Sequence, residues 1–119
     1  MFIEGNFIKL NEYTNSNRNN KFGGASIKKR MTNLAYLQML NKPKIETPAK
    51  LEFTWYIKKN KGKLHDPDNI AFCKKYLLDA MQKAKIIPND THTHIKGFVD
   101  NFVIVENKNA VGVKIERVE

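Results

Sequence analysis

A single cysteine, Cys73, among 119 residues leaves no second thiol for an intramolecular disulfide and fits a reducing compartment. The chain also lacks any run of ~18 consecutive apolar residues, so no membrane-spanning helix is expected. Its start, Met1-Phe2-Ile3-Glu4-Gly5, has neither the basic beginning nor the long apolar stretch of a secretory leader. These absences together predict a soluble, cytoplasmic protein. Acidic residues are scarce beside basic ones, 12 Asp plus Glu against 21 Lys plus Arg, for a formal charge of +9. Such an excess points to a polyanionic partner, because each neutralised phosphate releases condensed counterions. An ordinary basic, solvated surface is the plainer explanation of the same number. No internal repeat or low-complexity segment interrupts the chain, and its length suits one domain over residues 1–119.

The hydrophobic pattern predicts the order β-α-β-α-β-β. Phe2 to Leu10 reads as a first strand, and the Asn-rich stretch after it, about residues 11–25 and ending in Gly23-Gly24, reads as a mobile basic loop. Its Arg18 and Lys21, with Tyr13 before them and Phe22 after, suit contact with nucleic acid. Ser26 can cap a helix to about Asn41, with Ile27, Met31, Leu34 and Leu37 or Gln38 at helical spacing and Pro43 as its stop. Lys28, Lys29 and Arg30 lie in its first turns, the unfavourable end for cations on dipole grounds, which makes them candidates for phosphate contact. Lys50 to Lys58 is the cleanest strand: Leu51, Phe53, Trp55 and Ile57 alternate with polar residues, giving one buried and one wet face. A cationic turn with Lys59, Lys61 and Lys63 follows. Asp68 can then cap a second helix to about Lys85, with the stripe Ile70, Cys73, Leu77, Met81 and Ala84. Phe98–Val105 and the alternating Val111, Val113 and Ile115, joined by a turn at Glu106–Asn109, predict a closing hairpin. The class expected is α+β, one mixed sheet with two helices packed on it.

The chemistry concentrates in Leu64-His65-Asp66-Pro67-Asp68-Asn69-Ile70. Two carboxylates at i and i+2 of an extended chain point apart, but Pro67 and a helix start bend the path, so both could converge on one cation. Hard Mg2+ takes oxygen ligands, keeps several waters and needs only one or two carboxylates besides substrate phosphate oxygens. Asp90, beyond the far end of the second helix, joins only if the chain folds back. Asp66 and Asp68 are equally at home as turn and N-cap residues.

The segments His65-Asp66-Pro67-Asp68-Asn69-Ile70, Lys75-Tyr76-Leu77-Leu78-Asp79-Ala80-Met81 and Ile87-Pro88-Asn89-Asp90 together resemble the signature of the RusA family of Holliday-junction resolvases. The Asn-rich loop, the basic helix and the closing hairpin look similar too, so the likeness covers most of the chain. It implies that Asp66 and Asp68 are the paired metal carboxylates, Asp90 the third catalytic acid, and Lys75 the catalytic lysine by its spacing to Asp79. Relative to the best-known members, about three extra residues separate Asn69 from Lys75, which makes Lys74 a rival for the lysine role. Asn89 stands where many members have another acid, and Thr91-His92-Thr93-His94 replaces a shorter polar stretch. The resemblance implies a bacterial or phage-encoded homodimer that binds four-way DNA junctions and nicks two strands symmetrically in recombination and repair. It also implies Mg2+ as the cofactor, with Mn2+ able to substitute.

Those roles are chemically coherent. Metal-bound carboxylates polarise a scissile phosphate and lower the pKa of a bound water, and a nearby lysine stabilises the charge that grows in the transition state. The plainer role for Lys75 is a surface pair with Asp79 at i, i+4, worth ~0.3 kcal/mol. Expected phosphate contacts are Arg18, Lys21, Lys28, Lys29, Arg30, Lys59, Lys61, Lys63 and Lys74. Three rivals stand beside this reading. Pro67-Asp68 with Glu106-Asn107-Lys108 imitates a PD-(D/E)XK nuclease, but the Glu-x-Lys falls in a predicted turn. His65, His92, His94 and Cys73 are zinc-type ligands, although Cys73 sits on the apolar stripe as a small core residue. A non-catalytic, branched-DNA-binding module would share the charge and the loops.

Overall fold

The computed structural model describes residues 1–5, 21–59, 62, 64, 67 and 73–119, with side chains in the first helix described from residue 29 onward. The elements are β1 (Phe2–Glu4), α1 (Lys21–Met39), β2 (Ala49–Ile57), α2 (Lys74–Lys83), β3 (Ile95–Ile104) and β4 (Gly112–Arg117), with a 3-10 turn at Lys108–Ala110. The four strands form one mixed sheet in the order β1-β4-β2-β3. β4 runs antiparallel to both β1 and β2, whereas β3 runs parallel to β2. Parallel neighbours need a long crossover, and α2 lies in it. The described residues thus form an α+β domain with two helices and a four-stranded mixed sheet, the class that the pattern predicts.

β2 carries the core. Its Ala49, Leu51, Phe53, Trp55 and Ile57 are buried on one face, where Phe53 and Trp55 stack with centroids 5.8 Å apart. Met31, Ala35 and Met39 of α1 and Tyr76, Leu77, Leu78, Ala80 and Met81 of α2 belong to the same cluster. α2 ends with Lys85 at φ 60. Its N–H donates to Gln82 O (3.0 Å) and the next N–H, of Ile86, donates to Met81 O (2.9 Å). That bond pair is a Schellman motif with lysine in the left-handed position usually given to glycine, and it turns Ile86 and Ile87 into the core.

Several expectations are corrected. α1 begins at Lys21 and takes in Gly23-Gly24 and Ser26, so Ser26 is not its cap and residues 21–25 are helix rather than loop. Its inward stripe is Met31, Ala35 and Met39, an i, i+4, i+8 row; Leu34 and Leu37 are 46% and 62% exposed. The row that faces a neighbour is set by helix geometry, and here it passes through an alanine rather than the more apolar leucines. The described part of α2 starts at Lys74, with Cys73 as N-cap residue and no side-chain cap. The expected cap at Asp68, Ile70 of the stripe, the loop residues 11–20 and the second half of the first strand lie outside the described residues. β3 begins three residues before Phe98. The final strands are not a hairpin: β4 lies between β1 and β2, and β3 pairs on the far side of β2. The seven-residue connection, residues 105–111, crosses the end of β2, where the Ile57 carbonyl accepts from Val105 N (2.7 Å).

β3 also slips by one residue. Ala49 pairs with Ile95 and Lys50 with Gly97, so Lys96 is an extra residue in β3. Because side chains alternate, one extra residue exchanges the two faces of everything after it. Leu51, Phe53 and Trp55 therefore register with Phe98, Asp100 and Phe102, and that row, not Gly97, Val99 and Asn101, lies on the helix side.

Candidate active site

Asp90 sits on a short turn between α2 and β3 whose backbone is fixed by its neighbours. Asn89 Oδ1 accepts from Thr91 N (3.1 Å) and from Thr91 Oγ1 (2.6 Å). Thr91 O in turn accepts from His94 N (3.0 Å) and Ile95 N (2.9 Å). This is the local bonding for which Asn and Thr are favoured in turns, so Asn89 has a bonding role of its own. The Asp90 carboxylate is exposed and lines an open cavity of about 450 Å3 with Thr91, His92, Ile95, Lys96, Gly97 and Phe98.

The start of α2 reaches the same aromatic residue. Lys74 Nζ lies 4.5 Å from the Phe98 ring centroid and 5.4 Å from that of Phe53. It donates to Asp100 Oδ2 at 2.7 Å, and the other carboxylate oxygen accepts from the Trp55 indole N–H at 3.0 Å. The Lys74 and Asp100 side chains are only 14% and 24% exposed. A cation and a carboxylate this far out of water are held by each other, by the indole and by the two rings. The β3 slip makes this possible, because without it residue 100 would fall on the opposite face.

The expected site residues fall into three groups. Asp66, Asp68, His65, Arg18, Lys61 and Lys63 lie outside the described residues, as do the side chains of Lys21 and Lys28. Lys29, Arg30, Lys59, Lys75 and Asp90 are exposed. Lys29 and Arg30 flank a shallow hollow of about 310 Å3 with Asn33, Leu34 and Leu37 on α1. Lys74 is engaged with Asp100, which leaves Lys75 as the member of the pair that faces solvent. Among the described residues Lys75 forms no ion pair, so the expected surface bridge to Asp79 is not made.

Among the described residues no three His, Cys, Asp or Glu side chains come together as a metal-binding group. Of the zinc candidates, His94 Nδ1 is 3.0 Å from Thr47 Oγ1 and its carbonyl accepts from Ala49 N, a structural tie between turn and sheet. Cys73 is fully buried, and burial pushes its thiol up to about 12, as expected of a small core residue. Glu106 and Lys108 lie outside any strand, in keeping with the turn expected there. Sequence reasoning missed Asp100, Lys96 and Phe98. The signal for Asp100 was present: one acid within the apolar run Phe98–Ile104, and a single tryptophan whose N–H needs an acceptor when buried.

Compared with known proteins, the chain matches no family model, no curated protein and no solved structure. No helix among the described residues is long and apolar enough to cross a membrane.

Proposed function

We propose that the chain is a Mg2+-dependent DNA endonuclease acting on branched DNA, a four-way junction above all, by paired symmetric nicks from a homodimer. Asp66, Asp68 and Asp90 would hold the ion and Lys75 would face the scissile phosphate. The observation that carries this reading is that the start of α2 and the turn bearing Asp90, beyond its far end, both reach Phe98. The turn bearing Asp90 shares a cavity with that ring, and Lys74, five residues past the Asp66–Asn69 segment, touches it. An exposed carboxylate on a bonded turn is also a fitting ligand for a hard cation that keeps most of its water. When bound, the ion would polarise the phosphate and lower the pKa of an attacking water. Lys75, exposed and without an ion pair among the described residues, has its charge to offer the phosphate. The net charge of +9 supplies the long-range attraction.

The test is cleavage of a synthetic four-way junction, alongside fork, flap and linear duplex, with Mg2+ and with chelator. Expected is Mg2+-dependent nicking of the junction, abolished in Asp68→Asn and Asp90→Asn while DNA binding persists. Junction binding by the unaltered protein with no cleavage in Mg2+ or Mn2+ defeats the enzyme reading in favour of a binding module.

A further inference from the structure

We infer that the cavity at the start of β3 is a binding site for one unpaired nucleotide of a DNA strand, with its phosphate on Lys96 and His92 and its base against Phe98. This rests on the reading of the chain as a DNA-binding protein and names the part of the DNA that this cavity takes.

Three observations support it. First, the β3 slip falls on Lys96 itself. Bulges re-aim a side chain and end regular pairing at sheet edges; this one falls on a residue that lines the cavity together with His92, and both are exposed. Second, Phe98 is a fixed platform. Its ring is held by the Lys74 cation at 4.5 Å and by the edge-on Phe53 ring at 5.8 Å, yet the residue stays 40% exposed. An aromatic ring held in place but half open suits stacking, since little freedom is lost when a base covers it. Third, between cation and ring sits Gly97, where an added Cβ would meet nothing within 4 Å. Gly97 therefore adds no side chain to the lining of this edge strand. The volume of about 450 Å3 falls within the ordinary range for small-ligand sites. A base stacked inside a duplex has no free face for the ring, so the cavity selects a nucleotide already unpaired, as at the centre of a branch point.

The test measures binding without cleavage. The full chain, in chelator, is titrated into a single-stranded 12-mer carrying one 2-aminopurine and into the matching duplex. Expected for the unaltered protein is quenching of 2-aminopurine fluorescence as the protein binds the single strand. Phe98→Ala should weaken single-strand binding about tenfold and change duplex binding less than twofold, with Phe98→Trp restoring it. Lys96→Ala should lower the slope of log affinity against log salt by about one. Phe102→Ala, on the same face but outside the cavity, should match the unaltered protein. Single-strand affinity unchanged in Phe98→Ala, equal loss on both DNAs, or a change of oligomeric state in that variant by sedimentation overturns the site. Loss of cleavage in Asp90→Asn with normal Phe98→Ala binding removes only this site. Phe98-dependent binding by a protein that never cleaves keeps this site and removes the enzyme reading.

Discussion

Replacing Asp100 with alanine removes one carboxylate that serves two partners. The Lys74 ammonium loses its counter-charge while 14% exposed, and the Trp55 indole N–H, on a residue 2% exposed, loses its acceptor. Breaking a fully buried ion pair costs roughly 3–5 kcal/mol, and an orphaned buried donor about 1–3 kcal/mol. Residual solvent at Lys74 and Asp100 reduces the first figure, so a total of about 2–4 kcal/mol is expected for Asp100→Ala. For a domain of this size that corresponds to a fall in Tm of roughly 8–16 °C. Asp100→Asn keeps an oxygen for the indole and loses only the charge, about 1–2 kcal/mol. The double variant Lys74→Met with Asp100→Asn should recover part of the loss, because no unpaired charge remains. Trp55 is the only tryptophan, so thermal and urea melts followed by its fluorescence, checked by circular dichroism, read the site directly. A Tm within 2 °C of the unaltered protein for Asp100→Ala, or Asn no better than Ala, would refute this account of the cluster.

Four further outcomes are expected. Lys75→Ala should slow junction cleavage about 100-fold with melting unchanged, whereas Lys74→Ala should lower Tm; single-turnover rates and melts separate the two. Leu37→Lys should alter stability by less than ~0.5 kcal/mol while Met31→Ala costs about 2–4 kcal/mol, read by urea unfolding. Gly112→Ala should be strongly destabilising, because its Cβ would lie 2.5 Å from the Ile3 carbonyl oxygen, a backbone atom that moves only if β1 moves. Burial raises the Cys73 thiol from 9.0 to about 12, so above pH 9 the unfolded chain loses a proton that the folded chain keeps. Stability should therefore hold below pH 9 and fall towards pH 12, by about 4 kcal/mol at the limit; Tyr76, raised by burial and then by Cys73, acts in the same direction. Cys73→Ala should flatten that alkaline decline.

The sequence made β2 legible to within one residue at each end, because strict alternation over nine residues leaves a strand only one way to bury its apolar face. It also gave the right class and the buried row Cys73, Leu77 and Met81. α1 was misread because leucine outranks methionine and alanine in apparent hydrophobicity, while the row that meets the sheet is fixed by register. The hairpin was misread because adjacency in sequence favours adjacency in the sheet; nothing local told that β2 would accept β4 on one side and β3 on the other. The slip at Lys96 was likewise invisible, since a bulge is defined by the partner strand and not by the bulged one. Hence Asp90 could be named from its resemblance, whereas Lys96, Phe98 and Asp100 emerge only when β3 is set against β2.

The strand order governs when each part of the sheet can form. Among the described residues β1 has no strand beside it except β4, about 110 residues later in the chain, while β2, α2 and β3 are consecutive and make their own parallel pair. During synthesis the β2–α2–β3 segment can assemble first, with one side of β2 still unclaimed. The strand at residues 112–117 then enters that gap and brings the N-terminal strand in with it. A chain assembled in this order would have the Asp90 turn and its cavity in place before its sheet is closed.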